Sequence, residues 1–194
     1  WLVLRRTLPE VYENTIVPLL SELPREMYGY NQTKGIMNFR NWSTVKFAFC
    51  RNYQDVLKYQ WVEYDFIAIE ELTHWTEDEF KVLTWSLRTT KKWITPNFFA
   101  TTNPWSIWHK WVKRLWIDKD YQNNEYAEEY WFVQAIIYDN PILMEMDPAY
   151  VRNLEWLPEI QRKAFLEWDW DVFAWQYFDE WRKEIHTCKP RIIP

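Results

Sequence analysis

The sequence predicts an α/β domain, a mainly parallel sheet flanked by helices. Two apolar runs and the spacing between them carry that prediction. Phe66-Ile67-Ala68-Ile69 is bounded by charge, which suits a strand buried on both faces of a parallel sheet. Asn97-Phe98-Phe99-Ala100 is a second short apolar strand, and a helix-like stretch from Glu77 to Leu87 lies between the two. The runs are about thirty residues apart, the length of one strand–helix–strand crossover unit.

The other elements follow in order. Trp1 to Thr7 reads as a strand running into a loop. It looks like an internal strand with no cap or linker before it, so the chain is expected to be truncated at its N-terminus. Thr7 can cap a helix over Glu10 to Leu20, with Pro9 early, Pro18 near the end, and Val11, Ile16, Leu19 and Leu20 on one face. Gly35 to Arg40 and Thr44 to Cys50 alternate well enough to pair as a hairpin at the edge or side of the sheet, turning at Asn41-Trp42-Ser43. Ile107 to Ile117 reads as a helix with Trp111, Leu115 and Trp116 on or near one face. Asp118 to Glu129 is a polar, acidic loop. Tyr130 to Tyr138 has the composition of a last strand, expected in the same sheet over 131–137, and Asp139-Asn140-Pro141 ends it with turn chemistry. Pro148 to Leu154 and Pro158 to Glu167 are short helices, the second carrying Ile160, Ala164 and Phe165 inward. Asp169 to Phe178 is aromatic and irregular, and Arg182 to Pro194 has the character of a linker.

Both central strands end on polar chemistry, at the sheet rim where ligands of α/β folds collect. Glu70 and Glu71 follow the first. One carboxylate there can hold Mg²⁺ while its neighbour orients an attacking water, the logic of nucleotide hydrolysis, although acids also end many ordinary strands. Thr101, Thr102 and Asn103 follow the second, and small hydroxyl and amide groups can sense a γ-phosphate. No Gly-x-x-x-x-Gly-Lys-[Ser/Thr] loop occurs anywhere, so the chain should not hydrolyse ATP alone.

Composition narrows the partners. No stretch of about 18 apolar residues and no signal-peptide pattern occurs, which argues against a helical membrane span and against secretion. Cys50 and Cys188 lack metal-ligand spacing, and Cys50 reads as a buried free thiol. A net charge of −5 argues against a broadly basic nucleic-acid surface. Local clusters remain at Arg5-Arg6, Lys91-Lys92 and Lys110, Lys113 and Arg114, with a solvated face as the plainer reading of each. His109, beside a helix start, reads as structural.

The order of motifs carries a resemblance. Lys58-Tyr59-Gln60, then Glu63 through His74, Leu87-Arg88-Thr89-Thr90, Ala100 through Pro104, His109 through Arg114, Tyr138 through Leu143, and Asp169-Trp170-Asp171-Val172-Phe173 with Gln176-Tyr177-Phe178 resemble the ATPase domain of tailed-phage terminase large subunits, in the family's order and over nearly the whole chain. The resemblance implies a P-loop NTPase-type (ASCE-like) domain over 1–180, partial at its start. Residues 181–194 would then lead toward an RNase H-like nuclease whose metal-binding aspartates are not in this chain. It implies ATP-driven packaging of double-stranded DNA into procapsids, with ATP and Mg²⁺ as cofactors. The implied partners are the portal protein, the small terminase subunit and further copies in a ring on the procapsid, in the host cytoplasm. By the same resemblance Glu71 polarises the water, Glu70 stands on the metal side where Asp is usual, Thr102 and Asn103 belong to a coupling segment, and His74 joins them at the nucleotide. A helicase-like translocating ATPase and a non-enzymatic DNA-binding module are the alternatives. The first should lack the later motifs, and the second needs a basic aromatic face.

One anomaly is local. A short Asn-x turn favours Gly at its second position because positive φ is needed there, yet Trp42 occupies it. The chain has 2 Gly and 16 Trp, where about 7% Gly, roughly 14 residues, is ordinary. By the resemblance, Gly is expected at Trp42, Trp61, Trp85 or its neighbour, Trp93, Trp105, Trp108, Trp168 and Trp175, whereas Trp111, Trp116, Trp170 and Trp181 suit an aromatic. The expectation is that many of these tryptophans are UGA codons read as Gly in the source, rather than a stacking surface for bases. TGG codons at those positions would sink it.

Overall fold

The computed structural model describes residues 1–172. Its centre is a six-stranded sheet made of β1 (Leu2–Arg5), β2 (Tyr28–Asn31), β3 (Ile36–Phe39), β4 (Thr44–Phe49), β5 (Phe66–Ile69) and β6 (Asn97–Ala100), in the order β2-β3-β4-β1-β5-β6. The pairs β4-β1, β1-β5 and β5-β6 are parallel, while β2-β3 and β3-β4 are antiparallel. The sheet is thus mainly parallel, and the two expected central strands are direct neighbours. Four parallel strands therefore end at one rim.

Both faces are covered because the strands alternate. Leu2, Leu4, Ile67 and Ile69 point to one side, where they meet Leu72, Trp75, Phe80, Leu83, Trp111 and Leu115. Val3, Met37, Val45 and Phe47 point to the other, against Val11 and Ile16. The strand β5 is fully buried on one side only: Phe66 and Ala68 are half-buried, with Phe66 tilted against the Trp1 ring at 5.7 Å.

The helix on the second face, α1 (residues 8–22), opens with Thr7 in a capping box with Glu10, its first turns running Leu8–Val11 as α-helix. A π turn follows over Tyr12–Ile16, and Val17–Glu22 resumes the α-helix. Pro18 has no N–H to return to the preceding turn, and the wider π turn just before it absorbs that loss. On the first face lie α2 (Tyr53–Leu57), α3 (Glu77–Trp85) and α4 (residues 109–117). Three further helices, α5 (Pro141–Met146), α6 (Ala149–Glu155) and α7 (Glu159–Phe165), complete the described chain, and α5 had not been expected after the Asp139-Asn140-Pro141 turn.

Several expectations are corrected. The segment 131–137 is not a strand. It runs as irregular backbone into a 3-10 turn at Ile137–Asp139, and Trp131 and Val133 are exposed. Apolar, β-prone composition makes a strand only where an edge accepts its hydrogen bonds, and these residues pair with no strand. The hairpin β3–β4 does lie to one side of the sheet, but β4 pairs with β1 within it, and it is β2, unforeseen, that forms the edge on that side. Tyr28–Asn31 alternates half-buried and exposed positions, too weak a pattern to read without its partner. Phe173, Gln176, Phe178 and the linker at 181–194 lie outside the described residues, as do Trp175, Trp181 and Cys188.

The turn at Trp42 does require the left-handed region, with φ 66°, and Trp168 has φ 57°. Trp61, Trp85, Trp93, Trp105 and Trp108, also expected to be Gly, are not among the described residues of positive φ, but Trp42, Trp61 and Trp93 are each more than 80% exposed. Trp111 and Trp170, where an aromatic was expected, are buried, and so is Trp75. Gly35, one of the two glycines, is also left-handed (φ 61°), and a Cβ there would sit 2.6 Å from the Phe47 carbonyl oxygen. Only glycine lets the β2–β3 turn close against β4.

Candidate functional site

The four parallel strand ends bring the expected polar residues to one rim. Glu70 and Glu71 leave β5, and Thr101, Thr102 and Asn103 leave the adjacent β6. The loops are joined by hydrogen bonds: Leu72 N–H donates to the Thr101 carbonyl at 2.9 Å, Thr73 N–H to Thr102 Oγ1 at 3.3 Å, and the Thr73 hydroxyl to the Asn103 carbonyl at 3.3 Å. Thr73 is fully buried, so its two bonds fix the spacing between the loops.

The two neighbouring acids have different surroundings. Both Glu70 oxygens are engaged: the Arg5 guanidinium pairs with Oε2, and the Thr15 hydroxyl donates to Oε1 at 2.8 Å. Glu71 has no side-chain hydrogen bond among the described residues. Its backbone is left-handed, φ 55° and ψ 60°, which costs an ordinary L residue about 1–2 kcal/mol. The strain is held in place by His74 N–H donating to the Glu71 carbonyl at 2.8 Å and by the Leu72–Thr101 bond.

Beneath this loop Arg6 forms a clamp. Its guanidinium donates to the carbonyls of His74 and Cys50, pairs with both oxygens of Glu79, and lies 4.1 Å over the Trp75 ring. Glu79 is 3% exposed and doubles as the capping partner of Thr76 at the start of α3. Burial pushes the Glu79 carboxyl up, but its bonds from Arg6 and Thr76 outweigh that and hold it below its ordinary value. One arginine thereby ties the ends of β1 and β4 to the loop that follows β5.

Sequence reading placed Glu70, Glu71, Thr102 and Asn103 together correctly. His74 stands apart: it is exposed at the far end of the turn, and its ring has no hydrogen-bond partner among the described residues. His109 is buried, with Nδ1 2.8 Å from the Ser106 carbonyl, in keeping with a structural role. Arg5, Arg6, Thr15 and Glu79 were missed as parts of this rim. The Thr76-x-x-Glu79 capping signature pointed to the last, but nothing local announces Arg5 or Thr15 as partners of Glu70. Cys50 is buried and its thiol is pushed up to about 12, chiefly by burial, so it is inert. The oxygen donors at the rim suit a hard cation such as Mg²⁺ that a nucleotide would bring. Among the described residues no group of three or more His, Cys, Asp or Glu could hold a metal unaided, and no helix is long and apolar enough to cross a membrane.

Comparison with known proteins agrees with this layout. The family model for the phage terminase large subunit matches residues 19–167. Among solved structures, the large terminase of a thermophilic bacteriophage in complex with ADP superposes with a TM-score of 0.66 at 14% identity, covering 87% of this chain and 40% of that one. The same protein with ATP-γ-S gives 0.63 at 14% identity, with 87% and 39% covered, and a further crystal form gives 0.65 at 15% identity, with 87% and 40% covered. The chain therefore spans about two fifths of the length of these structures, with which it shares its fold. No curated protein matches it.

Proposed function

The chain belongs to the phage terminase large subunit family, and from that premise we propose that it is the greater part of an ATPase domain that drives double-stranded DNA into a procapsid. The observation that carries this reading is the asymmetry of the two acids. Glu71, unengaged and held in a strained backbone, is free to accept a hydrogen bond from a water and polarise it toward a γ-phosphate. Glu70, held by Arg5 and Thr15, is the carboxylate that would face Mg²⁺, exchanging its present partners for the ion. When bound, that ion would neutralise charge developing on the phosphates. Thr102 and Asn103, joined to the Glu71 loop through Thr73, would report the γ-phosphate from one strand to the next, and His74 would approach the nucleotide from the loop's outer end. The phosphate-binding loop, the portal protein, the small subunit and the other copies of the ring would complete the machine.

The test is Glu71→Gln in the full-length protein, which keeps shape and hydrogen bonding but removes the charge. Nucleotide affinity should stay close to normal while turnover falls about 10²- to 10⁴-fold. Asn103→Ala should slow turnover or uncouple it from DNA movement. Near-normal ATPase rates in Glu71→Gln would remove that residue from its role.

A further inference from the structure

Five of the cations that stand in clusters in the sequence, Arg5, Arg6, Lys91, Lys113 and Arg114, are neutralised in the fold. Arg5 pairs with Glu70, Arg6 with Glu79, Lys91 with Asp65, Lys113 with Asp118, and Arg114 with Glu77 and Glu125. Three cations from separate elements are different. Lys34 on the β2–β3 turn, Lys46 on β4 and Arg51 just beyond β4 make no ion pair among the described residues. All three line one open cleft of about 820 Å³ between α1, the β2–β3 turn and the C-terminal half of β4. The carboxylate lining that cleft, Asp55, is already taken by Lys58 and by the Arg51 backbone N–H.

Aromatic rings hold two of these charges without cancelling them. Lys46 Nζ lies 5.2 Å from the Tyr59 ring centre, and the Arg51 guanidinium 5.1 Å from that of Phe49. Tyr12, Tyr30 and Tyr59 are among the residues that line it. Burial pushes the Tyr30 and Tyr59 hydroxyls up, so both remain protonated donors. Phenol, ammonium and guanidinium donors are the groups that contact phosphate oxygens of nucleic acid. In a chain of net charge −5, such a gathering is also the local basic surface that its overall charge does not provide.

We propose that this cleft grips the phosphodiester backbone of the DNA being moved, a site separate from the strand-end rim. The proposal rests on the packaging reading for the identity of its ligand, and its chemistry, a phosphate ester, is shared with free nucleotide. The experiment is a salt titration of duplex-DNA binding by the full-length protein and by its Lys34→Gln/Lys46→Gln/Arg51→Gln variant. Losing three phosphate contacts should lower the slope of log affinity against log salt by about 2 to 3. ATP turnover without DNA should be unchanged, and so should the KM for ATP. A control variant, Lys81→Gln/Lys91→Gln/Lys163→Gln, loses the same charge from paired lysines elsewhere and should keep the wild-type slope. An unaltered slope in the cleft variant, an equal loss in the control, a raised KM for ATP, or no DNA binding by the unaltered protein would each overturn the proposal. Failure of the hydrolysis reading would appear instead as normal turnover in Glu71→Gln, independently of the salt slope.

Discussion

The first 117 residues and the 55 that follow them in the described chain are held by different means. In the first part, buried apolar residues and ion pairs join elements far apart in sequence: Arg6 reaches Glu79 and Arg5 reaches Glu70. In the second part, Ala164 and Trp170 are the buried residues, while Trp131, Val133, Met146 and Trp156 are each more than 75% exposed. Order there comes largely from local devices such as Asn140, whose side chain caps α5 by accepting from Leu143 N–H at 3.0 Å, with a few longer contacts such as Trp105 against Phe165 at 6.0 Å and Trp170 in the main core. Local caps set where a helix begins, but they do not bring a side chain to a partner across the fold. The candidate site residues all lie in the first part.

That contrast can be broken most directly at the buried clamp. Glu79→Ala leaves Arg6 without its partner and should lower the unfolding free energy by about 3–5 kcal/mol in urea titrations. Its acid dependence gives a second reading. The Glu79 carboxyl is held below its ordinary value in the fold, so its contribution is complete above about pH 4.3 and is lost as pH falls through the lowered folded value. Urea midpoints measured from about pH 6 down to about pH 3 should fall less steeply in Glu79→Gln than in the parent. In the second part, Trp156→Ser should change stability by no more than about 0.5 kcal/mol. A cost there as large as that of Glu79→Ala would mean that the two parts are held alike.

A smaller effect sharpens the reading of the tryptophans. Trp42 is 94% exposed at a backbone angle that suits glycine. Trp42→Gly should therefore stabilise the chain by about 1 kcal/mol, read as a higher urea midpoint. A loss of stability would argue that this tryptophan belongs where it stands.

Sequence alone disclosed the parts whose signals are local. Phe66–Ile69 and Asn97–Ala100 are short apolar runs with polar ends, and the helix Glu77–Trp85 begins on a capping residue, so each could be read where it stands. The pairing of Glu70 with Arg5 spans 65 positions, and no local pattern encodes it. The same holds for the Lys34, Lys46 and Arg51 cleft, which the adjacent basic clusters concealed. Residues 131–137 misled for the opposite reason: their composition is that of a strand, but whether a sheet edge is available to them is a property of the whole fold. The rim was legible because β5 and β6 are neighbours and each carries its chemistry at its end.

Two ordinary residues of the first part share a glycine-like backbone, and they stand on opposite sides of a bargain between durability and use. At Trp42 nothing is lost by giving way to glycine. At Glu71 (φ 55°) the same replacement would also relax the chain, yet it would remove the acid to which the rim gives shape. On the role proposed for Glu71, a library of variants screened for thermal resistance alone would be expected to discard it early, whereas one screened for ATP turnover by the full-length protein would keep it. On that reading, the angle of a single peptide marks where selection for endurance and selection for work pull apart.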